Sequence, residues 1–389
     1  MAIATSNRTA LRWVEETVFG TTPSSPALND LRYTGESLNY NIANIVSNEI
    51  RSDRMTSDLI QTQADASGGV DAELSYGTFD TWFVHAFHDT AWSTPVAISA
   101  TDIAATGSNT FTSGATDFTA QNIEVGQWLR VGGFTDPANN GYFRVTAIAA
   151  GVLTVEGGTT VIEGAGATIT MDGEHLSNGV TEKSMTIQKH FQDATADEFI
   201  NFTGVKNNGF TLNLATGEIV TINWDLIGLS AAGASAQLAG ATTVPANGND
   251  VMNAVGNVQG VWIDGAVSTA CFGAMTLTLN NNQRGIECIG TLGYTDVVPG
   301  RLEVTGTVEI FFEDRTEWDK FVAATSFSFA IGIEDAAGNA YILTIPNAKY
   351  ETGTLVSSGL DTDIVFSADF RGILDTATSA MITLDRIAA

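Results

Sequence analysis

The most constraining feature of this chain is that it repeats itself. From Gly68, "GGVDAELSYGTFDTWFVHAFH" alternates apolar Val70, Ala72, Leu74 and Tyr76 with Asp71, Glu73 and Ser75. That is the period of a strand with one buried face. Thr78 then offers a helix N-cap. Phe79, Trp82, Phe83, Ala86 and Phe87 follow at the spacing of a short amphipathic helix. The unit returns 236 residues later in "TVEIFFEDRTEWDKFVAAT". Here Val308, Ile310 and Phe312 make the apolar face against Thr307 and Glu309, and Trp318 falls on Trp82. Asp314 takes the place of Thr78, and Glu317 completes a capping box.

A second correspondence lies 144 residues apart. "GFTLNLATGEIVTINWDLIG" from Gly209 reads as a hairpin, with Phe210, Leu212 and Leu214 facing the same way as Val220, Ile222, Trp224 and Leu226 across a turn at Thr216-Gly217. "GTLVSSGLDTDIVFSADFRG" from Gly353 repeats it and aligns Asp225 with Asp369. Upstream, Leu38–Asn41 matches Leu277–Asn280. The two offsets differ because the first copy carries about 92 extra residues.

That surplus is visible between Trp92 and Leu176, where the chain turns rich in Gly, Ala and Thr. Strands are expected at Val125–Phe134, Gly141–Ala150 and Gly151–Gly158, the first two parted by the turn signal Asp136–Gly141. The expected organisation is therefore a mainly β chain. Residues 1–95 and 177–228 form a first copy, 96–176 an inserted small β domain, 229–250 a linker and 251–389 a second copy.

Composition narrows the function classes. Among 389 residues, 17 Lys and Arg stand against 44 Asp and Glu, a net charge of −27. Such a surface is unsuited to gripping nucleic-acid phosphate or an anionic membrane. The N-terminus carries no apolar run of signal-peptide type. The longest uncharged stretch, Leu226–Asn249, is Ala-, Gly-, Ser- and Thr-rich and lacks the apolar density of a membrane span.

Catalytic chemistry has few carriers. The four His and two Cys make no metal or nucleophile pattern. His85 and His88, beside Asp89, sit three apart on the first helix, yet their second-copy counterparts are Phe321 and Ala324. They read as one core-side and one rim histidine, and His175 and His190 have no partner at ligand spacing. Cys271 and Cys288 lie in apolar strand-like segments and are expected to be small buried side chains. "VGGF" at Val131 lacks the rest of a phosphate loop, and Asp361-Thr362-Asp363 lacks a calcium loop. The Glu313/Asp314 pair carries little weight in so acidic a chain. No enzyme, cofactor or metal site is expected.

The block "LRYTGESLNYNIANIVSNEIRSDRMTSDLIQTQADASGG" (Leu31–Gly69), with the strand and aromatic helix after it, resembles the major tail tube proteins of long, flexible-tailed bacteriophages. Gly306–Tyr350 resembles their second half. The resemblance implies two tandem tail-tube domains, each a curved sheet flanked by a helix. Sheets of neighbouring subunits would join into a β-barrel around a DNA channel, and rings would stack through a long hairpin. The polar strand positions would then line the channel: Asp71, Glu73, Thr211, Asn213, Thr221, Asn223 and Asp225 in copy one, and Thr307, Glu309, Asp363, Ser367 and Asp369 in copy two. Few are basic, so DNA would pass without sticking. The polar segment Ile45–Gly68, with Arg51, Asp53 and Arg54, would be the stacking hairpin.

Two copies per chain imply a homotrimeric ring with six similar positions, a hexameric ring being the runner-up. The implied partners are the chain itself and the tape-measure, tail-tip and tail-terminator proteins. The implied location is the virion tail, assembled in the host cytoplasm, with no membrane contact. The inserted domain should decorate the outside. A different class remains open at this stage, a monomeric carbohydrate- or surface-binding β protein of adhesin type, with Trp128 and Phe134 as its exposed aromatic face.

Overall fold

The computed structural model describes residues 3–357 and 359–389 and is mainly β. The chain opens with β1 (Thr9–Glu16), β2 (Ala27–Asp30) and β3 (Gly35–Glu36), then a long hairpin of β4 (Asn39–Val46) and β5 (Leu59–Glu73), and helix α1 (Asp80–Phe87). Seven strands follow: β6 (Val96–Ala100), β7 (Ile103–Thr106), β8 (Thr110–Ser113), β9 (Trp128–Gly132), β10 (Gly141–Ala149), β11 (Val152–Glu156) and β12 (Ile169–Ser177). The first half closes with β13 (Ser184–Phe191), β14 (Glu198–Ala215), β15 (Thr221–Gly228), β16 (Ser230–Ala234) and β17 (Thr242–Val244).

The second half begins with β18 (Val258–Ile263), β19 (Ala266–Val267) and β20 (Phe272–Asn280). A hairpin of β21 (Arg284–Glu287) and β22 (Tyr294–Val298) leads to β23 (Glu303–Phe311) and helix α2 (Thr316–Ala323). Then come β24 (Phe327–Glu334), β25 (Ala340–Tyr350), β26 (Thr354–Leu355), β27 (Val365–Gly372) and β28 (Thr383–Ile387).

Pairing follows one plan in both halves. In the first, β1, β13, the start of β14 and β16 lie side by side. In the second, β18, β24, β25 and β28 do the same. A further antiparallel run crosses the whole chain in the order β4, β5, β15, β14, β20, β23, β27. Its middle joint is β14 on β20, where Gly209 faces Asn280. A Cβ at Gly209 would stand 2.0 Å from the Leu279 carbonyl oxygen, so the close approach requires glycine.

Strand alternation explains the layering. Val70, Ala72, Leu212, Ile222, Trp224, Leu277, Val308 and Phe370 point inward and are buried, while their polar neighbours line the opposite face. Trp82, Phe83 and Phe87 of α1 pack on Phe210 and Trp224. Neither helix starts as the spacing predicts. Phe79 holds the N-cap position of α1, and the Thr78 hydroxyl bonds Ser75 and Asn247 instead. In α2 the Asp314 carboxylate accepts the Thr316 amide (2.7 Å) from two residues away. Glu317 does not complete a capping box: it takes the Tyr350 hydroxyl (2.7 Å) and Lys320 (3.1 Å).

The segment between α1 and β13 has its own sheet, β6–β12–β9–β10–β11–β8–β7, and its own core around Phe111, Phe118, Phe143 and Ile169. The strands expected within 125–158 are all present, and β6, β7, β8 and β12 add to them. This unit is clamped to the second half. Trp128 packs on Trp262 (4.5 Å between centroids), and each indole N–H finds an acceptor across the contact, Thr344 Oγ1 and the Gly157 carbonyl, both at 2.9 Å. β12 runs on from that sheet to pair with β28.

Residues 229–250, expected as a linker, carry two strands. β16 pairs with β14, β17 pairs in parallel with β2, and Asn247 and Asn249 donate to the Tyr76 carbonyl. Small residues suit this role because they pack flat on an existing sheet. Cys271 and Cys288 are exposed, against the expectation of burial.

Candidate channel face and assembly surfaces

The polar face of the long antiparallel run is built from registered rows. One row crosses six strands as Asp71, Asn223, Thr211, Thr278, Thr305 and Arg371. The next reads Glu73, Thr221, Asn213, Thr276, Thr307 and Asp369. Asp225 stands beside Gly209 in a third row, and Glu309 and Ser367 share a fourth. The face is knitted by its own side chains. Asn213 donates to Asn223 and Asn223 to Asp71, both at 2.7 Å; Thr211 meets Thr278 at 2.9 Å and Thr276 meets Thr307 at 2.8 Å. Every expected channel position sits on this face except Asp363, which precedes β27 and lies outside the sheet.

Sequence reasoning missed Thr276, Thr278, Thr305, Glu303 and Arg371. The first two alternate with Met275, Leu277 and Leu279 in "MTLTLN", the same signal that marked the others. Arg371 places a cation on the face, but carboxylates hold it: Glu351 raises its pKa, and Glu303 lies 3.4 Å away. Arg301 leads the contacts that keep Glu303 below the usual carboxylate range, followed by Asn282.

The register also corrects the repeat. Asp71 faces Asn223 as Thr307 faces Asp369, so with the helices 236 apart Asp369 corresponds to Asn223, not Asp225. Likewise Asn39 faces Ser67 as Asn280 faces Glu303, which matches Asn39 to Asn280 and shifts the upstream alignment by two residues.

The stacking candidates occupy the tip of the β4–β5 hairpin. Arg51 and Asp53 pair with each other at 2.6 Å, and that guanidinium, with the Met55 amide, holds the Asp53 carboxyl low; Arg54 is exposed. Ile45, Val46, Ile50, Met55, Leu59 and Ile60 of this arm are exposed. The second half has its own arm at the corresponding place, β21–β22, with Ile286, Ile289 and Leu292 exposed. The arms touch, Gln63 donating to Glu287 at 2.5 Å.

The remaining candidates are structural. His85 and His88 are both buried, so neither is a rim residue. His175 bonds buried Asp385 at 2.7 Å, a partner 210 positions away in sequence. Arg12 lies 3.0 Å and Asp197 3.2 Å from the His190 imidazole. Trp128 and Phe134 are buried, which removes the aromatic binding face that an adhesin reading requires. Among the described residues, no cluster of His, Cys, Asp and Glu could hold a metal, and no helix is long and apolar enough to cross a membrane.

A comparison with curated proteins found no match. The profile of a family described as phage tail tube protein matches residues 6–372, which takes in both halves, the inserted unit and the whole polar face. A chain matched over nearly its full length, with the β-rich architecture described above, belongs to the phage tail tube protein family, whose members are structural components of the virion tail.

Proposed function

We propose that this chain polymerises as stacked rings into a tail tube whose lumen conducts phage DNA during ejection. The observation that carries the reading is the antiparallel run β4–β5–β15–β14–β20–β23–β27, continued past β27 by the end of β25 and by β26, apolar on one face and polar on the other; among the described residues no strand lies beyond β3 and β4 at one end or beyond β26 at the other. A run of this kind closes into a barrel only by pairing with further copies, which also removes its exposed edges. Its polar face is mostly neutral and acidic, and the Arg371 cation on it is engaged by Glu351 and Glu303. Phosphate passing such a wall meets repulsion at short range and finds no counterion to displace.

The shared pairing order of the two halves supports reading them as tandem copies of one tube domain. On that reading three chains complete a ring with six similar positions. The inserted unit, docked on the outer strands β24, β25 and β28, lies on the outside, and the two arms bridge successive rings. The partners are further copies, the tape-measure protein inside the lumen, and the tail-tip and tail-terminator proteins at the ends; assembly takes place in the host cytoplasm.

Negative-stain electron microscopy of concentrated protein, with end-on views classified by symmetry, tests this. Hollow rings or tubes with threefold classes are expected. Sixfold classes would discard the three-chain ring and keep the tube. A chain that stays monomeric even with isolated tail tips present would overturn the function.

A further inference from the structure

We infer that helix α2 and the outer edge of residues 350–356 form one docking surface, and that it receives residues 33–42 of a second copy of this chain in the register of the seam inside the chain. This rests on the tube reading and names the surfaces by which rings close.

The internal seam is the template. There Thr211 lies opposite Thr278 and Asn213 opposite Thr276. Behind it, α1 is held from the far side: the Asn281 amide donates to the Ala86 carbonyl (2.8 Å), and Gln283 reaches the His88 imidazole (3.2 Å).

Two unmatched halves of the same joint remain. Gly35 faces Asp71 as Thr276 faces Thr307, which makes residues 33–39 the counterpart of 274–280. The latter have β14 on their far side; among the described residues, 33–39 have no strand there. At the other end, Thr354 faces Ser367 as Asn213 faces Thr221, and the Thr352 hydroxyl bonds Asp369 (2.8 Å) where Thr211 faces Asn223. Residues 352–356 thus stand where 211–215 stand, with Tyr350 at the place of Phe210 and one extra residue, Glu351, between them, again without a strand beyond them among the described residues.

The helices agree with the strands. Trp82 and Ala86 are fully buried, while Trp318 and Val322 at the matching positions are 39% and 60% exposed. The chemistry changes sides together. Continuing the count, Tyr40 and Ile42 take the places of Asn281 and Gln283, and Val322 and Ala324 take those of Ala86 and His88. Gln283 against the His88 imidazole inside the chain is matched by Ile42 against Ala324 between chains. That complementarity, with the matched open edges, commits the surface to a second copy.

The test uses full-length chain with Cys271→Ser and Cys288→Ser, into which Ser37→Cys and Thr352→Cys are introduced. The template hydroxyls at these positions are 2.9 Å apart, close enough for a disulfide. Assembled protein is oxidised and run on a non-reducing denaturing gel. The expected result is a ladder of linked chains ending at three, with none from either single cysteine or from Ser37→Cys combined with Val356→Cys. Tubes without a ladder, or a ladder from the displaced pair alone, would overturn the seam and leave the tube reading standing. Failure of the parent double-serine chain to form rings, tail tips included, would overturn both.

Discussion

Helices α1 and α2 are the same device in two states of cover. Each has eight residues, and each ends on a non-glycine residue in left-handed conformation, His88 and Ala324. Yet six residues of α1 are buried and none of α2 is. The difference lies in what lies over them. α1 is enclosed by Trp13 of β1 and by Tyr341 and Arg386 of the second half, which bind Asp80. α2 is tied down only along its inner side, by Tyr350 on Glu317 and Asp264 on Lys320 among the described residues, and its Trp318 and Val322 stay exposed. A helix can keep an apolar face in water only if the rest of its domain supplies enough stability, and here the inner sheet beneath it is complete. The comparison teaches that the first half spends its helix on folding, whereas the second half, on the proposed tube reading, holds its helix in reserve for assembly.

The largest effect should come from breaking the covered side. Trp82 packs edge-on against Trp13, Phe79 and Trp224, and Trp82→Ala should cost the unassembled chain about 3–5 kcal/mol by leaving a cavity. Trp318→Ala should change that stability by less than about 0.5 kcal/mol, as surface substitutions do, yet prevent ring formation. Urea unfolding of unassembled protein, paired with sedimentation of the polymer, separates the two. Equal costs at both sites would refute the division of labour.

A middle-sized effect is expected at the clasp. Arg386 bonds Asp80 of α1 and Glu174 of β12 (2.6 Å), and its guanidinium lies 4.6 Å from the Trp92 ring centroid. Arg386→Ala removes two charge-assisted hydrogen bonds from a partly buried site and should cost about 2 kcal/mol. Thr316, where α2 has the counterpart of Asp80, makes no such clasp, so Thr316→Ala should be near neutral in the same urea measurement. A clasp mutant as stable as wild type would mean that α1 is held by packing alone.

Smaller still for folding, though decisive for stacking, is loss of the first arm. A cut from Ser47 to Ser67 would remove buried Ala64 and Ala66 and the Ala66–Ser67 end of the pairing of β5 with β15. Replacing only residues 47–58 with an Asn-Gly turn spares both. The melting temperature of this variant should stay within a few degrees of wild type, and rings should form without lengthening into tubes. Normal tubes would shift the stacking role to β21–β22.

Much of this plan is legible in residue order because local periodicity carries it. Val70–Tyr76, Phe210–Leu214 and Val308–Ile310 alternate cleanly, and the polar face follows from reading the other parity. The parts that escape depend on contacts no window contains. Residues 230–234 look like a linker because strands laid on an existing sheet need little apolar content. His175 looks unpartnered because Asp385 is brought to it by β12 pairing with β28. Trp128 looks like a free aromatic because its cover, Trp262, lies in the other half. The exposed cysteines mislead for the reverse reason: an apolar neighbourhood in sequence marks burial only when a second layer comes to cover it, and at Cys288, on an arm, none does within the chain.

The finest distinction between the helices is at their first turns. α1 has no side-chain cap, whereas the Asp314 carboxylate of α2 accepts the Thr316 amide. That amide, then the Thr316 hydroxyl, holds the Asp314 carboxyl below the ordinary aspartate value. A depressed folded pKa contributes stability above the unfolded value, near 3.8, and the contribution is lost as pH falls through the lower folded one. The start of α2 should therefore loosen on acidification from about pH 4 downward. The Thr316 amide resonance should move with an inflection below 3.8, and Asp314→Asn should abolish that inflection without unfolding the helix. A Thr316 amide that does not respond to acid in the wild-type chain would show that α2, like α1, is held at its N-terminus by the backbone it packs on.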